Sequence, residues 1–295
     1  MVFENITNSI GNTPLIDASV LTGKSKVRLF LKLEGHNPGG SVKDRAAFNM
    51  IQSAIDRGDI ISGDTLIEAT SGNTGIALAL IASTLGLKLK IVMSEGASKE
   101  RILTMRALGA EVLLTAADQG IEGARDYAVK LKNQNGYYML NQFENDDNWK
   151  AHLKTTGPEI WQDTNGEISH FVSAMGTTGT IMGVSRFLKQ KNKAIQIVGA
   201  QPKDGDSIPG IRRWSKEYLP KIFNPNDVDR IIDVSKNQAT KTARLLAKSL
   251  GVFGGMSSGG AAHVALRLAS ELDEGIIVAI VCDRGDRYLS TDLFQ

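Results

Sequence analysis

Two periods of hydrophobicity take turns along this chain. In VRLFLKLE (27–34) apolar and polar residues alternate closely enough to predict a strand. SVKDRAAFNMIQSAIDRG (41–58) then spaces its apolar residues along one helical face and stops at Gly58. The exchange continues with predicted strands at 65–70 (TLIEAT), 88–93 (KLKIVM), 111–115 (EVLLT) and 137–140 (YYML), separated by helical patterns over 72–86, 98–109 and about 120–132. The second half repeats it: strands at 170–175 (HFVSAM), 195–202 (IQIVGAQP), 231–235 (IIDVS) and 276–281 (IIVAIV), with helices over 177–190, about 237–250 and 259–270. An irregular stretch fills 203–229. Such alternation predicts an α/β protein with parallel sheets flanked by helices, and ligand sites at the carboxyl ends of strands. The polar stretch NQFENDDNWKAH (141–152) is where the chain is expected to cross between two α/β lobes.

Composition narrows the function. At 295 residues, with 42% hydrophobic and 22% charged positions, the chain is an ordinary globular protein with room for one large or two modest domains. A net charge of +2 with no basic block points away from nucleic-acid and membrane partners. One cysteine, Cys282, excludes an intramolecular disulfide and a multi-cysteine metal centre, and the four histidines show no ligand spacing, so no metal is expected. MVFENITNSIGNTP lacks the apolar core of a signal segment, and the runs at 76–82 and 276–282 are too short to span a bilayer, so the expected location is the cytoplasm.

Chemistry enters through the turns. Four read as strand-to-helix connections built from Gly, Ser, Thr or Asn: NPGGSVK (37–43), ATSGNTG (69–75), AMGTTGT (174–180) and GGMSSGG (254–260). Helix starts present unpaired N–H groups and positive partial charge, and glycine lets an anion approach the backbone. One such turn is a well-made cap; four argue for an anionic small-molecule site. GTTGT (176–180) is the best phosphate cradle among them, although it is neither a P-loop nor a dinucleotide fingerprint. Lys43, by contrast, is a cation at a helix start, where the dipole disfavours it. That misfit becomes useful if its amine must be neutral. A phosphate-bearing cofactor with a lysine in a glycine turn points to pyridoxal phosphate, whose aldehyde condenses with lysine.

The sequence resembles the cysteine synthases (O-acetylserine sulfhydrylases) of the fold type II pyridoxal-phosphate class. IGNTPL (10–15), KLEGHNPGGSVKDRAA, EATSGNTGIALA, Gln142–Phe143, TTGPEIW, SAMGTTGTI, SSGGAA and RYLST (287–291) carry the match in order. The resemblance implies a tryptophan synthase β-like fold: two three-layer αβα lobes with mainly parallel sheets and the cofactor in the cleft between them. Residues 1–37 with 148–295 would form the larger lobe and 38–147 a smaller, mobile one. It implies that Lys43 forms the internal aldimine and serves as general base, that Asn73 meets the cofactor's 3′ oxygen, that Gly176, Thr177, Thr178, Gly179 and Thr180 hold its phosphate, and that Ser257 faces the ring nitrogen. Thr70, Ser71, Asn73, Thr74 and Gln142 would bind the substrate carboxylate. The implied reaction is β-replacement: O-acetyl-L-serine loses acetate to leave an α-aminoacrylate, and sulfide adds to give L-cysteine. A homodimer is implied as well.

IPGIRRW (208–214) and CDRGDRYLST (282–291) resemble the B branch of the family, which brings Arg212, Arg213 and Cys282 to the substrate site as further candidates and adds thiosulfate as a donor, with S-sulfocysteine as product. The separate readings of Arg212 and Arg213 as solvated loop charges, and of Cys282 as a small buried hydrophobe, stay open on sequence. So do a serine/threonine dehydratase, a cystathionine β-synthase-like enzyme, and a non-catalytic protein that uses its cleft to bind another protein's C-terminal peptide.

Overall fold

The computed structural model describes residues 2–295. Nine strands and nine α-helices are named in chain order: β1 (Leu15–Asp17), β2 (Val27–Leu33), α1 (Lys43–Asp56), β3 (Thr65–Ala69), α2 (Asn73–Thr84), β4 (Lys88–Ser94), α3 (Lys99–Ala107), β5 (Glu111–Thr115), α4 (Gly120–Asn135), α5 (Asp146–Lys154), α6 (Thr156–Asp163), β6 (His170–Ala174), α7 (Gly179–Lys191), β7 (Gln196–Pro202), β8 (Arg230–Val234), α8 (Lys236–Leu250), α9 (Met256–Glu271) and β9 (Gly275–Val281). The chain divides into two compact units. One holds the residues up to Ile10 and Lys43–Asn148, the other Gly11–Val42 and Trp149–Gln295.

The first unit is built on the sheet β3-β4-β5, all parallel. Its strands alternate as the pleat requires. Ile67, Ala69 and Val92 pack on Ala124 and Ala128 of α4, whereas Leu66, Leu89, Ile91 and Val112 share a core with α1 and α2. The second unit carries a six-stranded sheet in the order β1-β2-β9-β6-β7-β8, antiparallel only at the β1–β2 edge. Leu29, Leu31, Val198 and Ile277 face a core shared with α8 and α9, and Phe30, Phe171, Ile197 and Val278 face the one shared with α6 and α7. Each unit is therefore a helix–sheet–helix sandwich, as the alternating pattern predicts. No described helix is long and apolar enough to cross a membrane.

The structure differs from the sequence reading in several places, among them helices α5 and α6, which occupy much of the stretch from the polar crossing to β6 and carry no predicted helix. β1 went unread because three residues give no period. YYML (137–140) forms a single bridge from Tyr138 to Leu66 in place of a strand. GGMSSGG follows helix α8 and supplies the first turn of α9, so it is a helix-to-helix connection. The unit boundaries also sit differently from the partition stated above: Ile10 packs into the first unit's core, while Val42 stays with the second, its N–H bonded to Cys282 O at 2.8 Å.

The N-terminal motif IGNTPL has a physical role in the second unit. Lys32, fully buried in β2, donates to Thr13 O at 2.7 Å and pairs with Glu159 and Asp163 of α6 at 3.0 Å each. A buried ammonium is tolerated only when so compensated. Thr13 Oγ1 in turn donates to the buried Glu34 at 2.7 Å. These contacts pin the entry loop to α6.

Candidate active site

In the first unit the candidate residues lie where β3, α1 and α2 meet their loops. Lys43 is the first residue of α1 and is half-buried. Ahead of it, still in the second unit, Ser41 pairs with Asp283. Thr70, Ser71, Asn73 and Thr74 run from the end of β3 into the first turn of α2, whose N-cap Gly72 brings no side-chain bond. The loop is held by side chains. Thr74 Oγ1 donates to Gln142 Oε1 at 2.7 Å, Arg101 Nη1 donates to Ser71 O at 3.4 Å, and Asn148 Nδ2 donates to Gln142 O at 2.7 Å. With Oε1 occupied, Gln142 has its amide N–H groups left to offer, the right polarity for a carboxylate.

In the second unit the turn 176–180 opens α7. Thr178 stands in the left-handed region at φ 71, and its Oγ1 is buried with no hydrogen-bond partner. Thr180 Oγ1 lies 3.3 Å from His152 Nε2, and His152 Nδ1 lies 2.8 Å from Thr156 Oγ1. Gly176 is a required glycine, since a Cβ there would stand 2.7 Å from Gly210 O. Its carbonyl accepts from Trp214 Nε1 at 2.8 Å. Ser257 sits buried in the first turn of α9, across from Gly210. Asp283 fixes the start of that helix, accepting from Gly255 N at 3.2 Å and from the Tyr288 hydroxyl at 2.7 Å.

Among the residues of the B-branch motifs, Arg213 is committed elsewhere. Its Nη2 pairs with Asp233 at 2.5 Å and its Nε donates to Pro202 O at 3.0 Å. Arg213 and Gln201 both hold the Asp233 carboxyl below its ordinary range, the Gln201 hydrogen bond being the stronger cause. Arg212 is exposed and lies over the Trp214 ring at 5.6 Å, with its backbone N–H bonded to Met175 O at 2.9 Å. Cys282 is half-buried; its N–H donates to Ser258 Oγ at 2.9 Å.

The α7 turn fits the phosphate of pyridoxal phosphate. The unpartnered Thr178 hydroxyl, the threonine side chains around it and the positive end of α7, whose N-cap Thr178 makes no side-chain cap bond, form a donor-rich cradle for a phosphate. Three residues support the candidate residues in ways the sequence did not assign to them. They are Glu68 in β3, His152, and Trp214 as a brace for Gly176. Each acts on a residue distant in sequence: Glu68 on Asn141, His152 on Thr180, and Trp214 on Gly176.

The family model described as pyridoxal-phosphate dependent enzyme matches residues 6–283. The chain is 54% identical over 293 residues to cysteine synthase B of Pseudomonas aeruginosa, covering 99% of this chain and 98% of that protein. It is 55% identical over 289 residues to cysteine synthase B of Escherichia coli, covering 98% and 95%. The crystal structure of cysteine synthase from Entamoeba histolytica superposes with a TM-score of 0.95 at 40% identity, covering 100% of this chain and 91% of that one.

Proposed function

We propose, for a chain that belongs to the pyridoxal-phosphate dependent enzyme family and within it to the cysteine synthases, a β-replacement that exchanges the acetoxy group of O-acetyl-L-serine for sulfide, giving L-cysteine and acetate. The observation that carries the reading is the buried, unpartnered Thr178 hydroxyl in the glycine–threonine turn. When bound, pyridoxal phosphate supplies an aldehyde that condenses with amines and a ring that accepts the electron pair freed at the α-carbon. Lys43 would be the residue that holds that aldehyde. Its amine, when not bound to the aldehyde, would take the α-proton as acetate leaves the β-carbon and give a proton back to the α-carbon once sulfur has bonded to the β-carbon. The helix start favours that neutral amine over the ammonium. Thr70, Ser71, Asn73, Thr74 and Gln142 orient the substrate carboxylate, with Asn73 also toward the 3′ oxygen. The 176–180 turn holds the phosphate. Ser257 would offer the ring nitrogen a hydroxyl, where a carboxylate would keep it protonated.

The substrates are small molecules; the assembly we propose is a homodimer working in the cytoplasm, with sedimentation as the check on its mass. Thiosulfate is a second donor, favoured by the exposed Arg212 guanidinium over Trp214; turnover with thiosulfate in place of sulfide tests it. Serine alone, or serine with homocysteine, separates the dehydratase and cystathionine β-synthase-like alternatives. Lys43→Ala is expected to abolish the visible absorbance of the lysine-bound cofactor and to lower turnover by at least about a thousandfold. Full activity in that variant would overturn the assignment.

A further inference from the structure

We propose that Glu68 is a positioning residue that sets Gln142 for the substrate carboxylate by clamping the backbone of Asn141. The inference rests on the reading of Gln142 given above. Glu68 lies in β3, two residues ahead of the candidate carboxylate loop, and is 6% exposed. Its Oε2 accepts the Asn141 N–H at 3.1 Å.

The clamp is one link in a row of contacts. Tyr138 runs beside β3 as an extra strand would, donating to Thr65 O at 3.0 Å and accepting from Ile67 N at 2.9 Å. A further strand residue would continue that ladder. Instead the chain turns at Asn141, which adopts φ 52, the left-handed region that asparagine tolerates better than most residues. The Glu68 carboxylate takes over the ladder's role there and holds the turn. Gln142 follows at once and meets Thr74, so the carboxylate loop and Gln142 are both referenced to one strand.

Glu68 is also in the right state to modulate this hold. Burial raises its carboxyl to about 7, against the opposing pull of the Asn141 N–H, the Arg125 guanidinium of α4 and the Leu140 N–H. Its neighbour across the sheet is Ile91 of β4, which brings no charge. Ionised, the carboxylate binds the Asn141 N–H through a charge-assisted bond; protonated, it holds the turn more weakly. Substrate affinity should therefore improve as pH rises through neutrality.

The test compares the holoenzyme with Glu68→Gln and Gln142→Ala, measuring KM and kcat for O-acetyl-L-serine with sulfide saturating. In the parent, KM should fall by about fivefold between about pH 6 and about pH 8 beyond any change in the Glu68→Gln variant, with kcat within about twofold. Glutamine keeps an acceptor but cannot titrate, so its KM profile should lose this component. The Asn141 amide resonance gives a direct readout: its proton shift should titrate near neutrality in the parent and be flat in Glu68→Gln. If Gln142→Ala raises KM but Glu68→Gln keeps the parent's KM profile and Asn141 titration, the positioning role is overturned while the carboxylate reading stands. If Gln142→Ala leaves KM unchanged, both fall.

Discussion

The two turns that open α2 and α7 look alike in sequence and are held in opposite ways. AMGTTGT is fixed by close approach. Gly176 fits under Gly210 O, the Trp214 indole bonds the Gly176 carbonyl, and Gly183 one turn into the helix lets α5 lie against it. ATSGNTG is fixed by side chains reaching in: Thr74 to Gln142, Arg101 to Ser71, and Glu68 to the segment that carries Gln142. Close packing of backbone leaves little freedom, which suits the phosphate proposed for it. Hydrogen bonds between side chains are individually worth about 1 kcal/mol and rearrange readily, which suits a substrate that must enter and leave.

The sharpest way to break this contrast is to crowd the packed turn. A Cβ at Gly183 would stand 2.1 Å from Trp149 O and 2.6 Å from His152 Cβ. Both belong to α5 or its backbone, so neither can move aside cheaply. Gly183→Ala is expected to cost about 3 kcal/mol or more and to release the cofactor on dialysis, since His152 backs Thr180 of the turn. Thermal denaturation and the absorbance retained after dialysis measure the two effects. A stable variant with full cofactor content would mean that the turn is held by something other than its packing.

How much of this was legible beforehand follows from the range of the contacts. Most of the alternating strands and helices were readable because each is set by its own residues, as were three of the four glycine turns, whereas GGMSSGG joins two helices and the short β1 gave no period. The lysine, asparagine and threonines of the site came from motif resemblance. What supports them could not be read, because Glu68 meets a backbone group 73 residues away, and Trp214 meets one 38 residues away. Nothing local distinguishes Glu68 from any glutamate on an exposed strand face. The candidate Arg213 illustrates the reverse: its charge looked available, but Asp233 of β8 engages it.

On the side-chain-held region the corresponding experiment is a pH series. Glu68 has an ordinary carboxyl value of 4.5 when unfolded and about 7 when folded. The folded state therefore binds the extra proton between those values, and the stability this confers, complete below 4.5, is lost as pH rises through about 7. Glu68→Gln cannot lose it. Relative to the parent, the variant should gain up to about 3 kcal/mol between about pH 4.5 and about pH 7, on top of a constant offset for the altered hydrogen bond. Chemical denaturation at several pH values measures the difference. Parallel curves would show that Glu68 is ionised throughout and that the region is held as rigidly as the packed turn.

The smallest effect tests whether packing alone holds the cofactor turn. Trp214→Phe keeps an aromatic ring but removes the N–H that bonds Gly176 O. If close approach dominates, the loss is one half-exposed hydrogen bond, about 1 kcal/mol, and cofactor affinity should weaken by about fivefold. Substrate KM should hardly change, because the carboxylate loop is braced by a different set of residues in the other unit. A rise in KM matching that of Gln142→Ala would join the two turns into one mechanical system. An unchanged KM with weakened cofactor binding would keep them apart, one shaped by backbone contact and the other by groups that titrate and let go.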